Sequence, residues 1–267
     1  ESAGWEIADW YATDGKPGVV ERYSWGRQNW FADHEAEHHA ARNDVVLMDM
    51  SFMSKFLVQG HDACKVLNQI CCNEIDVEDG RIVYTQWTNE AGGLEADLTV
   101  TRLARNEYMV IASDTTCGHV KMWMDRNIPK DSHAFVTDVT SSYTQLNIHG
   151  PKSRELLKTL TSVDVSNEAF PYLSSQYIDI DYARVLAIRV TYVGELGWEF
   201  YITSEHAIQV YDRVVEAGKA FNLTHAGLQT LNSLRLEKGY RDYGHDIDNC
   251  DTPLEAGLGF AVKLDKP

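Results

Sequence analysis

An aspartate in a run of alternating apolar and polar residues is the first candidate for chemistry. The apolar set is Leu94, Ala96, Leu98 and Val100, and the polar set is Glu95, Asp97, Thr99 and Thr101. This period of two predicts a strand with one core face and one polar face. On the polar face, Asp97 could orient or deprotonate an amine, held there by Thr99. A surface aspartate on a half-exposed sheet is the simpler interpretation, and the pattern alone favours it.

A turn with two glycines, two glutamates and two aromatic residues is the second candidate. It covers residues 192–199, and Tyr192 and Glu199 flank it. A glutamate can accept two parallel N–H hydrogen bonds, and an aromatic ring beside it can stack on a flat heterocycle. The segment is therefore a candidate receptor for such a ring. An ordinary hairpin whose glutamates face water explains the pattern equally well.

Two further polar segments are weaker candidates. His34 and His38 lie four residues apart in the charged stretch 33–43, a spacing that can chelate a metal on a helix. Because the stretch lacks apolar support for such ligands, a solvated helix is favoured and no metal site is expected. The loop 239–248 is dense in Asp, Tyr and Gly, so we expect it to line a site. It lacks the spacing of a calcium loop.

Short strands and helices must position these residues. Strands are predicted at 55–59, 94–101, 108–112, 144–148, 177–181, 185–192 and 198–203, and helices at 33–43, 62–70, 152–160 and 226–238. A further helix after Ser204 is predicted to bury one face, formed by Ile208, Tyr211, Val214 and Val215. Arg235 and Glu237 are expected to form a structural ion pair. Antiparallel strands interleaved with helices argue for an α+β fold rather than a doubly wound parallel sheet.

Composition excludes several classes of function. The 267 residues carry a net charge of −16, which argues against an extended contact with nucleic acid. No run of about 18 apolar residues predicts a membrane span. Five cysteines without metal-ligand spacing indicate a reducing compartment, the cytoplasm or, in a eukaryote, the mitochondrial matrix. All five are expected to be buried or unreactive thiols.

Taken together, five motifs in order resemble the glycine-cleavage T-protein (aminomethyltransferase) family, from about residue 40 to the end. They are Asn89-Glu90-x-Gly92-Gly93 with Ala96-Asp97-Leu98-Thr99-Val100, Tyr192-x-Gly194-Glu195-x-Gly197-x-Glu199, Leu234-Arg235-Leu236-Glu237, Tyr243-Gly244-x-Asp246-x-Asp248, and Thr252-Pro253-Leu254-Glu255-Ala256-Gly257-Leu258. T-proteins have an arginine where this chain has Leu231. That difference, with the variants at 194–199, 253–258 and 263–267, resembles the folate-binding half of sarcosine and dimethylglycine dehydrogenases.

The resemblance implies a domain organisation. It predicts a T-protein-like α+β fold of antiparallel sheets with flanking helices. A first, discontinuous subdomain is expected at residues 1–50 and 137–267, and a second, inserted subdomain at 51–136. In these relatives an FAD-binding portion precedes the module and a barrel domain follows it. The sequence is therefore expected to be part of a longer chain.

The resemblance also implies the site. The family binds tetrahydrofolate in a central cavity, where the aspartate matched by Asp97 contacts the folate amines and acts in catalysis. Glu199 and Tyr192 match residues that bind the pterin, and Met53 matches a methionine that packs on the folate. Three further contacts are expected from Tyr84, Thr99 and Tyr172.

The implied activity is one-carbon transfer. An iminium formed by oxidising a methylated amine such as sarcosine or dimethylglycine would react with tetrahydrofolate to give 5,10-methylenetetrahydrofolate. The partner would be a covalently linked flavin domain, with no nucleic acid or membrane involved. Two alternatives stay open: a non-catalytic regulatory or binding module of the same fold, and a stand-alone folate-dependent demethylase.

Overall fold

Two β-sheets form the frame of the computed structural model, which describes residues 20–266. The strands are β1 Val45–Asp49, β2 Ser54–Gln59, β3 Ile82–Thr88, β4 Leu94–Ala104, β5 Glu107–Ala112, β6 Phe135–Asp138, β7 Tyr143–His149, β8 Ser175–Ile180, β9 Ala183–Ile188, β10 Gly197–Thr203 and β11 Leu223–His225. The α-helices are α1 Phe31–Asn43, α2 Ala63–Ile70, α3 Cys117–Asn127, α4 Ser153–Leu160, α5 Ala207–Gly218 and α6 Leu228–Glu237. The sequence predicts no regular element before residue 33, and residues 1–19 of that stretch lie outside the described part of the chain.

The two sheets use different parts of the chain. One has six strands in the order β11-β1-β7-β10-β9-β8, and the other has five in the order β3-β4-β5-β2-β6. Neighbouring strands run antiparallel except β1 and β11, which are parallel. The five-stranded sheet comes from residues 54–138, and the six-stranded sheet from the segments before and after it. The subdomain division at 51–136 stays a prediction.

Helices cover the outer face of each sheet. On β10, Trp198 and Phe200 pack against α4 and α5. On β4, Leu98 and Val100 pack against α2 and α3. The inner faces meet in a smaller apolar cluster that combines residues of both sheets: Ile82, Met109, Ile111, Leu186, Ile188 and Tyr201. Because side chains alternate along a strand, the polar residues of β4 and β10 are turned towards the space between the sheets.

Two local predictions about helices were wrong. In α5, Ile208 is 77% exposed and Tyr211 is also exposed, whereas Val210 and Val214 are buried. The buried face of α5 is therefore centred on Val210 and Val214 rather than on Ile208 and Tyr211. Helix α1 is not fully solvated, since it packs against α6 with Ala40 and Ala41 buried. Among residues 20–266, no helix is long and apolar enough to cross a membrane.

The strand that was predicted to reach Tyr192 ends earlier, at Ile188. The Thr191 hydroxyl accepts hydrogen bonds from the backbone N–H groups of Val193 (3.2 Å) and Gly194 (3.1 Å). This local turn competes with sheet pairing for the same N–H groups. Gly194 has a φ of +73°, in the left-handed region where glycine carries no steric cost. Tyr192 consequently lies in a loop between β9 and β10.

Candidate functional site

Asp97 lies on the inner face of β4, directly opposite Gln86 of β3. The Gln86 side-chain N–H donates to the Asp97 carboxylate at 2.8 Å, so Gln86 holds Asp97 rather than its neighbour Thr99. Burial raises the pKa of Asp97 to about 6, although hydrogen bonds from Tyr84 and Gln86 lower it. The simpler interpretation, a solvated surface aspartate, was wrong because the polar face of this sheet is covered.

Glu199 lies on the inner face of β10, in the other sheet. Its Oε1 accepts a hydrogen bond from Asn147 Nδ2 at 3.2 Å, and its Oε2 accepts one from the Tyr201 hydroxyl at 2.7 Å. Burial raises the pKa of Glu199, and these two donors and the Lys55 ammonium oppose the rise. The interpretation as a hairpin with glutamates facing water was wrong. The other glutamate of the turn, Glu195, forms an ion pair with the guanidinium of Arg42 on α1 at 2.9 Å.

Lys55 is a buried cation that the sequence analysis missed. It lies on β2 with no exposed surface, and its Nζ donates to the backbone oxygens of Ser51 (3.0 Å) and Met53 (2.7 Å). Burial lowers the pKa of Lys55 to about 8, opposed by the charges of Glu199, Asp49 and Asp138. A signal was present, because Lys55 directly precedes the apolar run Phe56–Val58. A charged residue in a strand is nevertheless usually exposed.

Buried polar atoms near these groups lack partners. Among the described residues, Gln86 Oε1 and Gln145 Oε1 accept no hydrogen bond, although both side chains are at least 99% buried. The Gln145 amide N–H donates to Asn147 Oδ1 at 3.2 Å, and Asn147 in turn binds Glu199. Buried polar groups are nearly always paired. These unpaired acceptors are therefore candidates to accept a hydrogen bond from a ligand or a water molecule.

Aromatic rings border the space between the carboxylates. Tyr84 stacks on Phe260 with ring centroids 6.0 Å apart, and Tyr192 stacks on Tyr240 at 6.2 Å. Burial raises the pKa of Tyr84 and of Tyr192, and the Asp97 charge contributes to both shifts. Tyr84 lies two residues before Gln86 on β3 and opposite Thr99, and the Tyr192 hydroxyl donates to the backbone oxygen of Arg241 at 2.6 Å.

Tyr172 and Tyr240 line a cavity of about 370 Å³ together with Gly194–Gly197. Burial raises the pKa of Tyr172, and the charges of Tyr240 and Glu199 add to the shift. Tyr172 is nevertheless 50% exposed. It therefore stands at the rim of the site, on the side of Glu199.

The remaining predicted contacts occupy inner-face positions. Met53 lies in the turn between β1 and β2 and packs against apolar clusters from both sheets. Thr99 follows Asp97 on the same face of β4 and is opposite Tyr84 in the strand register. The structure thus gives Asp97, Glu199, Tyr84 and Thr99 inner-face positions, with Met53 in the turn beside them, whereas Tyr192 and Tyr172 lie in loops outside the sheets. Their roles in binding and catalysis stay predictions.

Other candidates have structural partners. His34 and His38 each lie 3.0 Å from the Ser233 hydroxyl, which fastens α1 to α6. The expected ion pair between Arg235 and Glu237 was wrong. Residues two apart on a helix point to different sides. Arg235 donates a hydrogen bond to Asp246 of the loop 239–248. The Glu237 carboxylate accepts a hydrogen bond from the guanidinium of Arg42 on α1.

The chain matches a family model along almost its whole length, and three curated relatives are similar to it. The model is described as the GCVT N-terminal domain and matches residues 1–266. The 4-methylaminobutanoate oxidase (formaldehyde-forming) of Paenarthrobacter nicotinovorans is 40% identical over 100% of this chain and 32% of its own length. The mitochondrial pyruvate dehydrogenase phosphatase regulatory subunit of Mus musculus is 34% identical over 90% and 28%. The mitochondrial dimethylglycine dehydrogenase of Rattus norvegicus is 34% identical over 99% and 31%. The chain spans about a third of the length of these relatives.

A solved structure shares the fold. The aminomethyltransferase T of the glycine cleavage system from Bartonella henselae matches with a TM-score of 0.77 and 24% identity, over 87% of this chain and 61% of that one. This match confirms the predicted α+β class with antiparallel sheets. The resemblance found in the sequence motifs is confirmed as well, and the chain belongs to the GCVT N-terminal domain family.

Proposed function

We propose that this chain binds tetrahydrofolate between its two sheets and transfers a one-carbon unit to it. The observation that carries the proposal is the pair of half-buried carboxylates, Asp97 on one sheet and Glu199 on the other, with raised pKa values and aromatic neighbours. Carboxylates whose pKa is shifted by burial between packed elements are typical of functional sites.

The residues present fit a reduced pterin. Such a ring system is flat and carries adjacent N–H donors, which suit the carboxylate of Glu199 and the free acceptor Gln145 Oε1. Tyr192 and Tyr172 offer aromatic surface at the rim. Met53 packs on the inner side of the same region. Glu199 and Tyr192 are proposed to hold the pterin, with Met53, Tyr84, Thr99 and Tyr172 as further contacts.

Asp97 is proposed as the catalytic base. Bound tetrahydrofolate supplies two amine nitrogens that accept the carbon. When the carbon leaves a donor iminium, the donor nitrogen takes one of the two displaced protons and departs as a free amine. The second proton needs a base, and Asp97, ionised above about pH 6, takes it up. Its negative charge also stabilises the cationic donor at short range.

The donor and the partner follow from the relatives. We propose an iminium derived from a methylated amine such as sarcosine or dimethylglycine, supplied by a flavin domain linked to this chain and carrying FAD. The product is then 5,10-methylenetetrahydrofolate. The dehydrogenase and oxidase names among the relatives support this proposal. Location in the cytoplasm or mitochondrial matrix stays a prediction.

Calorimetric titration with tetrahydrofolate tests the binding. The wild-type chain is expected to bind, and Glu199→Gln is expected to bind at least about tenfold more weakly, the loss of one charged hydrogen bond. Glu168→Gln, on the exposed surface, is the matched control and should bind like wild type. If the wild-type chain shows no binding, or Glu199→Gln binds unchanged, the proposal is wrong.

A regulatory module is the second candidate function. It is favoured by the 34% identity to a phosphatase regulatory subunit. A transfer assay with formaldehyde as carbon donor, read as the rate above the uncatalysed condensation of formaldehyde with tetrahydrofolate, separates the two functions. Transfer that Asp97→Asn abolishes without loss of folate binding supports the enzyme. Folate binding without transfer, unchanged by Asp97→Asn, supports the regulatory module.

A further inference from the structure

Gln86 is a buried glutamine whose amide is only half used. It lies within β3, has no exposed surface, and is directly opposite Asp97 in the register of the hairpin β3–β4. Glutamine is rarely buried unless its polar atoms are paired. Its Nε2 donates to Asp97 Oδ1 at 2.8 Å, while its Oε1 accepts no hydrogen bond from the residues 20–266.

The orientation of the Gln86 amide is fixed by chemistry. An ionised carboxylate has only acceptor atoms, so Gln86 must present its NH₂ group to Asp97. A flipped amide would place two acceptors against each other. The carbonyl oxygen of Gln86 is therefore the end of the amide that has no partner among residues 20–266, and it has almost no surface open to water. The pair offers two acceptors to one ligand group, the remaining Asp97 oxygen and Gln86 Oε1.

We propose that Gln86 is a ligand-binding and positioning residue of this site. Its carbonyl oxygen accepts a hydrogen bond from an N–H of the bound amine, and its N–H group orients the Asp97 carboxylate towards the same amine. The ligand class is a secondary amine of a reduced pterin, so this inference rests on the proposed function. The single N–H of the amine is shared between the Gln86 and Asp97 oxygens in a three-centre hydrogen bond, so its hydrogen is directed at the base and its lone pair is free for the carbon.

Two substitutions test the two roles of Gln86 together, since one removes both roles and the other keeps both. Gln86→Met has nearly the same length but neither donor nor acceptor. Gln86→Glu places a second carboxyl beside Asp97, and two carboxylates this close share one proton near neutral pH. When the introduced carboxyl carries that proton, its O–H donates to Asp97 and its other oxygen stays free to accept, as the amide N–H and carbonyl oxygen of Gln86 do. Gln59→Met, at an exposed position of β2, is the matched control.

Titration with tetrahydrofolate at neutral pH gives distinct outcomes. Gln86→Met is expected to bind about tenfold more weakly than wild type, the loss of one hydrogen bond to the ligand, and Gln86→Glu within about threefold of it. Above about pH 9 the shared proton is lost, so Gln86→Glu should also bind weakly. Thermal unfolding of each variant without ligand checks that it is folded.

The outcomes also separate this inference from the proposed function. If wild type binds and Gln86→Met binds equally well, the role of Gln86 is overturned while the folate site stands. If Gln86→Met and Gln86→Glu lose the same affinity at neutral pH, the carbonyl acceptor is not what matters and the inference fails. If wild type itself does not bind, the proposed function fails first.

Discussion

Replacement of Asp97 by asparagine is expected to stabilise the ligand-free chain at neutral pH while abolishing carbon transfer. Asparagine keeps the shape of the side chain and an oxygen that accepts the Gln86 N–H, but it carries no charge. Burial raises the pKa of Asp97 from 3.8 to about 6, so its ionised form is unfavourable in the folded state. The substitution removes that unfavourable contribution together with the proposed base.

The size of the gain follows from the difference in pKa between the unfolded and folded chains. A change from 3.8 to about 6 is about 2 units, which at 1.36 kcal/mol per unit amounts to about 3 kcal/mol of unfolding free energy. Because the folded chain binds this proton more tightly, wild-type stability falls as the pH rises from about 4 to about 6. Asp97→Asn should therefore gain about 3 kcal/mol at pH 7.5 and only about 1 kcal/mol at pH 4.5.

Urea unfolding of both proteins at these two pH values measures the gain directly. Taking the difference between variant and wild type at each pH cancels the titration of the other carboxylates. Asp179→Asn, on the exposed side of β8, is the control and should change stability by less than about 0.5 kcal/mol at either pH. An Asp97→Asn chain no more stable than wild type at pH 7.5, or equally stabilised at both pH values, would refute the reasoning.

Three further predictions concern the lysine, the thiols and a close strand contact. Lys55→Met removes the cation that lowers the pKa of Glu199, so Glu199 should become protonated at a higher pH than in wild type. Folate affinity, measured by calorimetry as the pH is lowered, should therefore begin to fall at a higher pH; an unchanged profile contradicts this. A thiol reagent should label exposed Cys250 in the native chain but reach Cys71, whose pKa burial raises to about 12, only on unfolding; labelling of Cys250 would contradict the expectation that all five thiols are buried or unreactive. Gly197→Ala should lower the unfolding free energy by about 1–3 kcal/mol in urea, since its methyl group would lie 2.5 Å from a carbonyl oxygen of β7; a neutral effect would show that the strands separate easily.

The strands were the most predictable part of the fold. In β4, residues Leu94 to Val100 alternate between core and inner face as the sequence predicts, because a strand places side chains on opposite sides at a fixed period of two. The face of α5 was less predictable. Ile208 and Val210 are both apolar, and only the packing against the sheet determines which one is buried.

The site was predictable only in part. The motifs pointed to Asp97 and Glu199, since their residue types and neighbours repeat a family pattern. Lys55 and Gln86 were not foreseen, because a charged or amide side chain in a strand is normally directed to water. Their burial depends on the second sheet covering the first, and the local sequence of β2 or β3 carries no information about that.

The arrangement of charges explains why this site needs both sheets. A carboxylate on one half-exposed sheet would keep its ordinary pKa and its water, as the sequence pattern alone suggested for Asp97. When the inner faces meet, the carboxylates of Asp97 and Glu199 both lose contact with water. Hydrogen bonds from Gln86 and Asn147 and the charge of Lys55 replace only part of the lost solvation. A ligand that brings N–H donors to both carboxylates and to the free glutamine oxygens completes the replacement. On the proposed function, the unfavourable burial of these groups would be the source of affinity for an amine-bearing ring, and a ligand without such donors should bind poorly however well it stacks.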